Sequence, residues 1–115
     1  MKKNDKNNNK SLNDLLHIMY NKEANNSNNL SRLMGLVASN NKFERGSAAG
    51  SFKTPQPVLE YLSYDLEPYV RERVANNPYT SKKTLKRLSK DEDPTVRYLA
   101  RENLARREKL RKEFD

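Results

Sequence analysis

The sequence predicts an all-α protein, a short α-solenoid of two to three helix–turn–helix repeats behind an N-terminal capping helix. Three observations carry that expectation. From residue 28 onward the chain resembles itself at a period of 26 residues, the signature of a helical array. Within each period, apolar residues fall at helical spacing between proline and threonine punctuation. Only 34% of residues are hydrophobic, 33% are charged and Trp is absent. So polar a chain can bury a thin core but not a thick one, because apolar area is what offsets conformational entropy. Thin cores suit units that pack only on their neighbours.

The elements follow in order. Residues 1–10 (MKKNDKNNNK) have no apolar anchor after Met1 and read as a disordered tail. Residues 21–29 and 39–42 have the same asparagine- and lysine-rich character, which fits an AT-rich genome of a low-GC bacterium or its phage. Ser11 and Asp14 form a capping-box pattern. Leu12, Leu15, Leu16 and Met19 then mark one apolar helix face through about Tyr20, so 11–27 reads as a capping helix and linker.

Residues 28–115 read as the repeat domain. Segments 54–79 and 80–105 are identical at Thr54/Thr80, Leu59/Leu85, Leu62/Leu88, Ser63/Ser89, Asp65/Asp91, Pro68/Pro94, Val70/Val96, Arg71/Arg97 and Asn77/Asn103. Segment 28–53 is a degenerate copy that keeps Leu33, Leu36, Arg45 and Ala49, with Ser39 at the aspartate position, Lys42 at the proline and Glu44 at the valine. Thr54 and Thr80 are expected to be N-caps, with Pro55 at the first helical position. Pro68 and Pro94 start second helices behind Glu67 and Asp93, whose charge suits a helix N-terminus. Asn77 and Pro78 end the unit, because a residue before proline avoids the α conformation.

The string DLEPYVRERVANNPYTS, with the pair Leu85 and Leu88 after it, resembles the variant leucine-rich repeat and its relatives, the HEAT-like repeats. The likeness spans 54–104, and more loosely 28–53. It implies that Asp65, Arg71, Asp91 and Arg97 are structural, forming a ladder of hydrogen bonds between adjacent repeats. Some variant leucine-rich repeat proteins carry a cysteine-ligated iron–sulfur cluster, but this chain has no Cys. Certain DNA-repair glycosylases are also built from HEAT-like repeats. They use longer arrays and a tryptophan-lined cleft with a catalytic carboxylate, and this chain has few repeats and no Trp.

The rest of the chemistry points away from catalysis. Without Cys there is no disulfide, thiolate metal site or cysteine nucleophile, which fits a reducing compartment. His17 is the only histidine and lies beside the apolar stripe of its helix; a surface position is expected rather than a zinc ligand. Three glycines supply no phosphate cradle. Asp91, Glu92 and Asp93 read as a helix cap rather than a metal site. No catalytic residue, metal or cofactor is expected. No apolar run reaches the length of a membrane span, and a cytoplasmic protein is expected.

What remains is surface. Net charge is +8, and residues 80–115 hold twelve Lys/Arg against seven Asp/Glu. Lys82, Lys83, Lys86, Arg87 and Lys90 fall on the side of a helix over 81–90 opposite Leu85 and Leu88. A final helix from Pro94 to about Lys112 adds Arg101, Arg106, Arg107, Lys109, Arg111 and Lys112, with an apolar stripe of Val96, Leu99, Ala100, Leu110 and Phe114. Tyr69 and Tyr79 stand at turn positions and are expected to be exposed, while Tyr61 and Tyr98 are expected to pack between repeats. These residues nominate a partner-binding surface: Lys82, Lys83, Lys86, Arg87, Lys90, Arg101, Arg106, Tyr69 and Tyr79. The expected partner is a protein, bound by an adaptor or inhibitor. The alternatives are the phosphate backbone of DNA or RNA, held by a steeply salt-dependent contact, and a subunit role in a larger assembly.

Overall fold

The computed structural model describes residues 11–22 and 27–114, and all regular structure among them is helical. The expected tail over 1–10, the linker residues 23–26 and the Met19 side chain lie outside the described residues. Among the described residues there are seven helices: α1 (Leu12–Lys22), α2 (Ser27–Val37), α3 (Lys42–Gly50), α4 (Gln56–Leu62), α5 (Pro68–Asn76), α6 (Lys82–Leu88) and α7 (Pro94–Phe114). Helix α3 lies against α5, and α5 against α7. Helix α4 touches both α3 and α5, and α6 touches both α5 and α7; α2 covers α3, and α1 covers α2.

Local chemistry sets the boundaries. The Ser11 hydroxyl accepts from the Asp14 amide at 3.1 Å and the Asp14 carboxylate from the Ser11 amide at 3.4 Å, closing the capping box before α1. The Asp93 carboxylate accepts from the amides of Thr95 and Val96 at 3.1 and 3.0 Å, which caps α7. Helix α5 ends at Asn76, with Asn77 in an extended conformation before Pro78.

Thr54 and Thr80 are not N-caps. Both are buried, and their hydroxyls donate back to the carbonyls of Ala48 and Val74 at 2.6 and 2.7 Å, closing the ends of α3 and α5. With those hydroxyls committed to the preceding helix, α6 is capped one residue later by Ser81, which accepts from the Thr84 amide at 3.1 Å. Pro55 fills the cap position of α4 without a side-chain bond, rather than the first helical position.

A single core runs through the helices. Val58, Leu59 and Leu62 of α4, Leu85 and Leu88 of α6, Val70 and Val74 of α5, and Val96 and Ala100 of α7 are all essentially inaccessible. Each large aliphatic side chain buried this way contributes about 1.5–3 kcal/mol. Leu15, Leu30 and Val37 extend the core through α1 and α2, while His17 is exposed.

Gly46 leaves room for a side chain of α5. A Cβ at Gly46 would stand 2.5 Å from Cε2 of Tyr69. That ring packs edge to face on Phe43, with centroids 5.2 Å apart, and its hydroxyl accepts from Arg73 at 3.0 Å. Gly46→Val is therefore expected to cost about 1–3 kcal/mol through overpacking. Thermal melts of Gly46→Val in the Tyr69→Ala background should show most of that cost removed; an unchanged cost would deny that the ring is the obstacle.

Candidate partner-binding surface

The regular charges of the chain are engaged inside the fold. Arg45 on α3 grips Asp65 with the Nε–Nη2 edge of its guanidinium, Nε to Oδ2 at 2.8 Å and Nη2 to Oδ1 at 3.1 Å. Arg71 on α5 grips Asp91 in the same way, at 2.9 and 3.1 Å. In each case the third nitrogen, Nη1, donates to a carbonyl six residues upstream: Arg45 to Ser39, Arg71 to Asp65 and Arg97 to Asp91, at 2.9, 2.7 and 2.7 Å. The pairing partner of Asp65 is thus Arg45, and Arg97 holds no carboxylate among the described residues. Asp65 also raises the pKa of Arg45, through its hydrogen bond against the lowering effect of burial.

The degenerate segment carries its share of these bonds. Ser39 stands in for the aspartate by accepting from the Asn41 amide at 3.0 Å, as Asp65 accepts from Glu67 and Asp91 from Asp93 at 2.9 Å. A further pair was legible only as a repeated residue. Asn77 donates its amide to the carbonyls of Ala49 and Ser51, both at 2.9 Å. Asn103 donates to those of Ala75 and Asn77, at 2.9 and 3.0 Å. Both asparagines are buried, and their recurrence at a spacing of 26 is the signal of this shared role; the sequence marks only Asn77, before Pro78, as a helix stop.

The nominated surface residues separate. Lys82, Lys83, Lys86 and Lys90 are exposed, as are Arg101 and Arg106. None of them makes an ion pair among the described residues. Lys90 lies beyond α6, which ends at Leu88. Arg87 turns inward instead. Its guanidinium lies 3.7 Å over the Tyr64 ring and donates to the Ser63 hydroxyl, and burial lowers its pKa.

Helices α6 and α7 run antiparallel. Arg101 donates to the Ser89 carbonyl at 3.1 Å near one end, and the Lys82 charge reaches Glu108 near the other. The Glu108 pKa is lowered chiefly by its hydrogen bond to Arg111, with Lys112 and Lys82 adding to the effect. Lys82 therefore lies on the side of the C-terminal half of α7.

The tyrosines depart from expectation. Tyr69 is half-buried, because it is the second residue of α5 rather than a turn residue and its ring fills the space beside Gly46. Tyr98 is 62% exposed, because no described helix packs on the outer face of α7. Leu110 and Phe114, expected on the apolar stripe, are also exposed. Helix α7 has 21 residues against 9 in α5 and 7 in α6, so its last turns outrun their neighbours. Tyr61 is half-buried against the core, and burial raises its pKa.

Tyr79 is exposed as expected, and it has a companion that sequence reading missed. Phe52 packs edge to face on Tyr79 with centroids 5.5 Å apart, and the rings are 66% and 57% exposed. Gln56 pins them. Its amide donates to the Tyr79 carbonyl, while its own carbonyl accepts from the Ser81 amide at 3.0 Å. Arg107 donates to the Pro78 carbonyl beside the pair, and burial lowers its pKa. Nothing in the spacing of Phe52 announces this role; only the fold brings it 27 residues along the chain to Tyr79.

A separate cleft of about 380 Å³ lies between α2 and the α3–α4 turn, lined by Leu30, Leu33, Leu36, Ala48 and Pro55, with Arg32 and Lys53 beside them. Among the described residues no three His, Cys, Asp or Glu side chains come together as a metal site. No described helix is long and apolar enough to cross a membrane. No family model, curated protein or solved structure matches this chain.

Proposed function

We propose that this chain is a non-enzymatic protein-binding module, an adaptor or inhibitor built as a short HEAT-like α-solenoid. The solenoid reading is supported by helices beginning at 42, 68 and 94 whose Arg45, Arg71 and Arg97 make the same backbone bond. The observation that carries the binding role is the Phe52–Tyr79 pair. Two large rings packed on each other in solvent, with Lys82 and Lys83 following on α6, have the composition of an interface centre and its polar rim. Aromatic anchors of this kind dominate binding energy, whereas rim cations set orientation and rate.

A pull-down from nuclease-treated lysate tests the reading. The wild-type chain should recover one stoichiometric protein, and the double variant Phe52→Ala, Tyr79→Ala should lose affinity about thirtyfold, the effect of an anchor worth 2 kcal/mol. Because both rings are exposed, the variant should melt as wild type does. The unpaired lysines favour the second reading, non-specific binding of DNA or RNA. A gel shift that persists at physiological salt and disappears in Lys83→Glu, Lys86→Glu, beside an empty pull-down, would replace the first reading with the second.

A further inference from the structure

Among the described residues, two of three equivalent arginines hold a carboxylate and the third does not. Arg45, Arg71 and Arg97 sit at the same place on α3, α5 and α7, and each is anchored through Nη1 to a carbonyl six residues upstream. Asp65 fills the Nε–Nη2 edge of the first and Asp91 that of the second. The same edge of Arg97 has no partner among the described residues, although Nη1 is fixed by two carbonyls, those of Asp91 at 2.7 Å and Glu92 at 3.1 Å. The guanidinium is already oriented, so a ligand there would not bear the entropy of ordering it. Beside it on α7 stand the exposed Tyr98 and Arg101.

We infer that the open edge of Arg97 is a docking point for a partner protein, which presents an aspartate or glutamate from a turn entering a helix. The inference rests on the protein-binding reading above and names the chemistry of the partner. Charge complementarity and geometry select the occupant. The two filled forks both hold a carboxylate that also accepts the backbone amide two residues on, at 2.9 Å, so the recognised unit is an acidic turn. A second copy of this chain, stacked in the same register, would bring Ser39 to that place and no carboxylate. Tyr98 stands where α3 has Gly46, so the partner cannot approach α7 as closely as α5 approaches α3.

The test is an NMR titration of the full chain, following the arginine Nε–H signals. The probe is a synthetic peptide copying residues 86–97, the turn that fills the fork of Arg71. The Arg97 signal should shift with peptide while those of Arg45 and Arg71 stay in place. Affinity should fall about tenfold or more with a peptide carrying Asp91→Asn, since a charge-assisted pair is lost. Arg97→Lys in the full chain, which keeps the charge and loses the fork, should weaken binding equally. Equal shifts with the Asp91→Asn peptide would overturn the proposal, as would equal shifts with a short DNA oligonucleotide. An Arg97 signal that moves with protein concentration alone would put a second copy there instead. An empty pull-down beside a positive titration would refute the adaptor reading while leaving the fork's preference for acidic turns standing.

Discussion

Replacing Asp91 with alanine is expected to lower the unfolding free energy by about 3–5 kcal/mol, the cost of breaking a buried ion pair from one side. The Arg71 side chain is only 2% exposed and its partner 11%, so the orphaned guanidinium has little access to water. The neighbouring carboxylate of Glu92 lies 4.0 Å from Nη2 but is 86% exposed, and it offers weak compensation. Urea unfolding followed by circular dichroism reads the loss directly. Asp65→Ala should cost less, because the Arg45 side chain is 17% exposed and more readily hydrated. Replacing both members of the inner pair, as Arg71→Met with Asp91→Leu, should restore much of the stability, since no charge is then left unpaired. A loss below about 1 kcal/mol for Asp91→Ala would mean that the pair is solvated in practice. Since small domains hold only about 5–15 kcal/mol in total, the predicted loss would bring this one near its limit.

The second large effect is expected at Asn77. Its amide joins two carbonyls from the α3 end to the α5 end, and its own carbonyl accepts from the Tyr79 amide at 2.9 Å. Asn77→Ala should cost about 2–4 kcal/mol, from lost bonds and buried acceptors left unsatisfied. Asn77→Asp should be worse at neutral pH, because a carboxylate would face two carbonyl oxygens in a buried site. Burial favours the neutral acid, so the folded pKa of the introduced group rises above the unfolded value of about 3.9. The neutral acid is tolerated equally in both states below that value. The deficit therefore grows as pH rises through it and levels off above the folded pKa. Melting temperatures of Asn77→Asp measured at pH 4 and pH 7 should diverge further than those of wild type. If Asn77→Asp and Asn77→Ala lose the same amount at both values, the site is wetter than its 2% exposure indicates.

Both effects concern residues repeated in the sequence, yet the sequence assigned them unevenly. The resemblance to HEAT-like repeats implied that Asp91 and Arg71 are structural, but not the direction of the pairing. Arg71 reaches forward 20 residues to Asp91 rather than back six to Asp65, from which it takes only a carbonyl. A repeated aspartate and arginine are compatible with either choice, and only the packing of α5 on the α6–α7 turn selects one. Asn77 was legible as a helix terminator because proline follows it, a local effect; its two long-range bonds depend on where α3 ends.

What the sequence determined by itself is therefore the helical class, the spacing of the helices and most of their starts and stops. These follow from short-range rules: the 3.6-residue period, the φ of proline, and side chains that cap their own backbone. Tertiary structure decided which side chains are spent and which remain. It turned Arg87 onto Tyr64, drew Thr54 and Thr80 back onto preceding helices, buried half of Tyr69 against Gly46, and left Tyr98 and the Arg97 fork on an uncovered face. It also joined Phe52 to Tyr79. Exposure is a property of neighbours: a helix face with the same residues is core when another helix lies on it and meets solvent when none does.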